Sequence, residues 1–133
     1  MNTHKLLSLF DQPRVGVLLL RWSLALLMLP HGVAKLSNGV DGIAGMLQSM
    51  GLPGFLAYGV YLGEVVAPLF LLLGRFVVPA ALVIAINMVF AVGLAHLGQF
   101  WTLGKSGGWA LELQAFFFIT AVVVALTARS RPA

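Results

Sequence analysis

The sequence predicts an all-α integral membrane protein, a four-helix bundle with short loops, on three observations. Composition is the first: 60% of the 133 residues are hydrophobic and 9% are charged, against about 45–50% and about 25% in a soluble domain. So few charges cannot cover a water-exposed surface, and so much apolar content excludes a disordered chain. Run length is the second, because four apolar stretches reach the roughly 20 residues that a membrane-spanning helix needs. The third is that no stretch alternates polar and apolar residues in the roughly 10-residue segments of a membrane barrel. The length fits one domain, residues 1–133.

The first run extends from Val15 to about Leu36. No cleavage site of the Ala-x-Ala type follows it, so it is expected to stay in the chain as span 1. The connection Ser37 to Pro53 is long enough for a short amphipathic helix around Ile43, Met46, Leu47 and Met50, broken at Leu52-Pro53-Gly54. Span 2 covers Gly54 to Leu73 and span 3 covers Phe76 to Leu97. Between them, Gly74-Arg75 makes a tight hairpin in which the glycine ends one helix and the arginine stays among the headgroups. Span 4 covers Trp109 to Ala128, and Trp101 with Trp109 forms the aromatic anchor expected at a membrane boundary. Small residues four apart, Gly59 and Gly63, Ala81 and Ala85, and Ala91 and Ala95, offer close helix approach.

An even number of spans places both termini and the hairpin on one side. Lys5, Arg14, Arg75, Arg129 and Arg131 lie there, against Lys35 and Lys105 on the other, so both termini are expected in the cytoplasm. Cysteines placed at Thr3, Gly107 and Ser130 of this cysteine-free chain test that topology. A membrane-impermeant thiol reagent should label position 107 alone in intact spheroplasts, and labelling at 3 or 130 instead would reverse the model. The net charge of +4 comes from basic residues scattered singly, which gives no nucleic-acid footprint. The absence of cysteine removes disulfides, thiolate metal sites and iron–sulfur clusters from this chain.

Charged groups inside a span are costly, so they face the bundle interior or a wet cavity. Arg21 in span 1 and Glu64 in span 2 lie at depths from which a long guanidinium could reach the carboxylate, and a structural ion pair between them is expected. Pro68 leaves the Glu64 carbonyl without an α-helical donor, a loosened backbone of the kind found at membrane ligand sites. His31, Lys35, His96 and Glu112 gather at the outer level of three spans, and Glu64 extends that set inward as a candidate polar site. Each has a structural reading too: Lys35 can snorkel, Glu112 can favour a helix N-terminus, and histidines sit at interfaces. Asn87 and His96 are nine residues apart, about half a turn out of phase in an α-helix. A divalent metal at His31, His96 and Glu112 has chemically suitable ligands without diagnostic spacing.

One ordered set of residues resembles a known family. Arg21 is followed by His31-Gly32-x-x-Lys35-Leu36, Gly51-Leu52-Pro53, Gly63-Glu64, Gly74-Arg75, Gly107-Gly108 and Glu112. On four correctly placed spans this resembles the DoxX family of small bacterial inner-membrane proteins. The resemblance implies a membrane-redox context: an accessory or quinone-interacting subunit of a redox assembly, with a quinone as the expected ligand and a redox partner protein carrying the electron-transfer centre. Two other classes of function fit a chain of this kind. One is a small transporter or channel, which four spans would form only as a homo-oligomer, and the other is a non-catalytic membrane assembly factor. Copurifying quinone, metal or partner would distinguish them.

Overall fold

A computed structural model describes residues 2–128. The tail arginines 129 and 131, assigned above to the cytoplasmic side, lie outside the described residues. Every named element is a helix, and the described residues contain one isolated bridge, Leu103 with Trp109, and no strand. A short helix not anticipated in the sequence, α1 (Thr3–Ser8), starts where the Asn2 side chain accepts the Lys5 N–H at 3.0 Å. It leaves Leu6, Leu7, Leu9 and Phe10 exposed.

Helix α2 (Pro13–Asn38) carries span 1 and begins with proline, whose missing N–H costs nothing at a first helical position. Its buried residues, Arg21, Leu24, Ala25, Met28 and Gly32, repeat every three or four positions and form one inward stripe. Gly39, at φ 80°, closes it by donating to the Lys35 carbonyl at 2.8 Å. The amphipathic helix expected in the first connection is α3 (Asp41–Ser49). Val40 and Leu47 bury themselves against Ala57, while Asp41, Gln48 and Ser49 stay exposed.

Span 2 is a continuous rod, Gly54–Leu73, with three hydrogen-bond registers. It starts as a 3-10 turn (Gly54–Gly59), widens to a π turn (Leu62–Val66) and finishes as α4 (Ala67–Leu73). Its end is the glycine cap expected from sequence. Gly74 takes φ 71° and donates to the Leu71 carbonyl at 3.3 Å, while Arg75 donates to Phe70 at 3.1 Å. Phe76 also adopts a left-handed conformation, φ 52°, a strained position for a side chain of this size, and its ring packs edge-on against Phe70 at 5.5 Å.

Span 3 is the rod Val77–Gln99, opening with α5 (Val77–Ala91) and continuing through a π turn at Val92–His96. The loop beyond it is folded: Ala110 donates to Thr102 at 3.1 Å, and the Trp109 indole donates to the Phe100 carbonyl at 2.7 Å. Trp101 remains 91% exposed. The last helix, α6 (Glu112–Thr127), starts three positions later than the sequence suggested. Its 16 described residues rise about 24 Å at about 1.5 Å per residue, short of the roughly 30 Å of a hydrocarbon core.

The four rods form a ring in which α2 touches α4 and α6, and α5 touches α4 and α6. The common core is made of Leu24, Met28, Leu71, Ile84, Phe117 and Val124, with alanines 25, 81, 85 and 121 letting the backbones close in. Of the small-residue pairs, Ala81 and Ala85 are buried at this contact, whereas Ala91 and Ala95 line a cavity instead. Large apolar side chains cover the outside, among them Leu27, Leu73, Ile86, Phe116 and Leu126. A water-soluble monomer rarely exposes apolar surface on this scale; it is the surface of a protein that sits in lipid.

Candidate functional site

Glu64 is 4% exposed and sits in the π turn of span 2. The turn has a local cause. Pro68 has no N–H for the Glu64 carbonyl, and the ladder shifts so that Ala67 donates to Leu62, five residues back. Single π turns of this kind occur often at functional sites. Two glycines then bring neighbouring helices onto this stretch. A Cβ at Gly32 of α2 would collide with the Glu64 carbonyl oxygen and come within 2.6 Å of Val65 Cγ2. A Cβ at Gly63 would come within 2.5 Å of Asn87 Cβ on α5.

With three helices held this close, the polar side chains converge. Lys35 Nζ donates to Glu64 Oε1 at 2.6 Å, and Asn87 Nδ2 donates to Glu64 Oε2 at 3.1 Å. The Tyr61 hydroxyl donates to the Lys35 carbonyl at 3.1 Å and ties the end of α2 to span 2. The lysine side chain is 29% exposed and the glutamate side chain 5% exposed, so the pair has a buried end and an open end.

The open end faces a cavity of about 520 Å³ between span 2 and span 3, beneath α3. Its lining is apolar except for Lys35, Glu64, Asn87 and His96. Gly59, Ala91 and Ala95 take part in the lining, and their small side chains leave the space open. The π turn at Val92–His96 puts an extra residue between Asn87 and His96 and shifts their phase by about 100°. Two residues that a regular α-helix would turn apart thus line one space. His96 Nδ1 is engaged with Gln99 Oε1 at 3.0 Å.

The expected ion pair of Arg21 with Glu64 does not form; Glu64 is paired with Lys35. Depth is the reason. Gly32, the α2 residue that abuts Glu64, lies about 16 Å beyond Arg21 along the helix, farther than an arginine side chain reaches. Arg21 is instead buried at the hairpin, with its guanidinium 3.4 Å from where a Gly74 Cβ would stand and with Nε and Nη1 lacking hydrogen-bond partners. The carbonyl end of α4 supplies partial negative charge there.

Of the five candidate site residues, the structure brings together Lys35, Glu64 and His96. His31 is exposed and sets its ring edge-on to Phe117 of α6 at 5.7 Å. Because α2 packs against two neighbours, its inward residues are divided between them, and His31 falls on the α6 side. Glu112 is exposed and lies over Gly108, whose Cβ would stand 2.5 Å from Oε2. Neither lines the cavity, so the single outer cluster is replaced by a smaller site. Among the described residues no three His, Cys, Asp or Glu side chains stand close enough to hold a metal, and the set His31, His96 and Glu112 is not assembled. Asn87, which a regular α-helical period places out of phase with His96, is the polar lining residue missing from the five candidates; Gly63, the small residue it packs against, is the signal that could have found it.

The DoxX family model matches residues 16–97. The chain belongs to the DoxX family. The resemblance read from the ordered motifs is therefore confirmed, and the DoxX match contains every residue that lines the cavity, from Lys35 to His96. Glu112 lies beyond the DoxX segment. Neither the curated proteins nor the solved structures provided a match.

Proposed function

We propose that this chain is a quinone-interacting subunit of a redox assembly in the bacterial inner membrane, with both termini cytoplasmic and its ligand in the cavity beneath α3. The supporting observation is the cavity itself. Its volume, about 520 Å³, falls in the range of small-molecule sites, and an apolar lining with a few convergent polar groups is what such sites share. A quinone has an apolar ring, carbonyl acceptors and an apolar tail. Lys35 keeps two N–H donors and Asn87 one beyond those spent on Glu64, which suits carbonyl oxygens. Glu64 holds these donors in place, and His96 adds a second polar point on the wall. Electrons would arrive through a separate partner protein, as the family resemblance implies; this chain itself has no cysteine for an iron–sulfur cluster.

Filling the space without touching the polar groups tests this reading. Gly59→Leu and Ala91→Phe both add volume at lining positions, and a Cβ at Gly59 meets nothing within 4 Å. Membrane protein purified in mild detergent is extracted, and retained quinone is measured by chromatography, with added decyl-benzoquinone as the binding probe. Wild type should retain quinone, and each variant should lose at least tenfold in retention and affinity at an unchanged melting temperature. Equal retention in the filled variants, or no binding by wild type, overturns the proposal.

A further inference from the structure

The cavity lining divides into two parts that differ in what lies outside them. Leu56 and Leu62 of span 2 and Ile86 and Phe90 of span 3 line the cavity and are at the same time exposed on the outer face of the bundle. These are side chains of the lipid-facing surface, so the space opens sideways between the two spans. The end of the cavity under α3 is different. Leu47 is buried with Val40 and Ala57, and Ile43, Val60, Tyr61 and Leu94 pack around them. The Tyr61–Lys35 hydrogen bond closes the seam between α2 and span 2. Lifting α3 about Gly39 and Gly51, the positive-φ glycines on either side of it, would expose that cluster to water.

Charge narrows what can enter. Lys35 and Glu64 neutralise each other within the wall. An anionic head approaching Lys35 would also meet the carboxylate of Glu64, and a cationic head would meet the ammonium of Lys35, both in a poorly screened setting. An uncharged head with acceptor oxygens meets neither penalty and can use the N–H groups of Lys35 and Asn87.

We infer that the cavity is loaded sideways from the bilayer, between span 2 and span 3, by a lipid-dissolved molecule with an uncharged acceptor head and an apolar tail, while α3 stays shut. This rests on the reading of the cavity as the ligand site and adds the route and the class of ligand. The chain's lack of cysteine makes the route testable. Cysteines at Ala44 of α3 and Gly54 of span 2, neither of which lines the cavity, are joined as a disulfide to lock α3 in place; a Cβ at Gly54 would stand 3.5 Å from that of Ala44. Ile86→Trp with Phe90→Trp plugs the mouth. In nanodiscs, decyl-benzoquinone should associate with the locked protein at the wild-type rate, within twofold, and with the plugged protein at least tenfold more slowly. Dodecanoate, with a comparable tail and an anionic head, should not displace it, and a tail-less benzoquinone should bind at least tenfold more weakly. Loss of association on locking α3, with the plugged variant unaffected, places entry on the aqueous side and overturns the inference; displacement by dodecanoate overturns the uncharged-head assignment. Absence of decyl-benzoquinone binding to the unmodified protein refutes the functional proposal itself, a result distinct from either.

Discussion

Lys35→Met is expected to destabilise the bundle by about 3–5 kcal/mol, the cost of leaving one member of a buried ion pair alone. The carboxylate left behind is 4% exposed and keeps one hydrogen bond, from Asn87. Glu64→Gln should cost much less, because the lysine side chain is already 29% exposed and can extend its ammonium toward headgroups. Lys35→Met combined with Glu64→Gln should recover much of what the lysine variant loses, because no buried charge is then left alone. Melting temperatures in detergent for the two single variants and the pair give the coupling between them. The same cycle run on Arg21→Met and Glu64→Gln should give no coupling, since Arg21 lies at the Gly74 hairpin. A strong Arg21–Glu64 coupling, or a Lys35→Met variant that melts like the parent, would refute the assignment.

Gly32→Ala is expected to cost at least the roughly 1–3 kcal/mol typical of an overpacked core. The added methyl would press on the backbone carbonyl of Glu64, which cannot move aside as a flexible side chain does. Parting α2 from span 2 there also pulls Lys35 away from Glu64, so the variant should lose stability and quinone affinity together. Gly16→Ala on the same helix, where a Cβ meets nothing within 4 Å, is the matched control: it should leave quinone affinity unchanged and stability equal or slightly raised. Thermal melts and decyl-benzoquinone titrations of the two variants provide the comparison. Parent-like behaviour of Gly32→Ala would mean that the contact is looser than the structure shows.

Run length and the local chemistry of chain ends were legible in the residues alone. Span 2 ends at Leu73 with the cap at Gly74, because a glycine followed by arginine between two apolar runs admits few other conformations. The amphipathic spacing of Ile43, Met46 and Leu47 likewise placed α3. The cost of charge in lipid singled out Lys35, Glu64 and His96, and all three line the cavity. These are local properties, set by the thickness of the bilayer and the reach of a few residues. Which polar groups meet is a different kind of fact, because it depends on the relative depth and rotation of helices distant in sequence. Gly32 and Gly63 set how closely α2 and α5 approach Glu64, and Pro68 turns the helix that carries it. The π turn at Val92–His96 rotates His96 toward the space that Asn87 already faces. An even α-helical period gives the wrong phase for His96, and a linear depth scale chooses Arg21 over Lys35. Only the packed bundle decides the partner of Glu64, because that choice is made by backbone contacts between helices and not by any one segment.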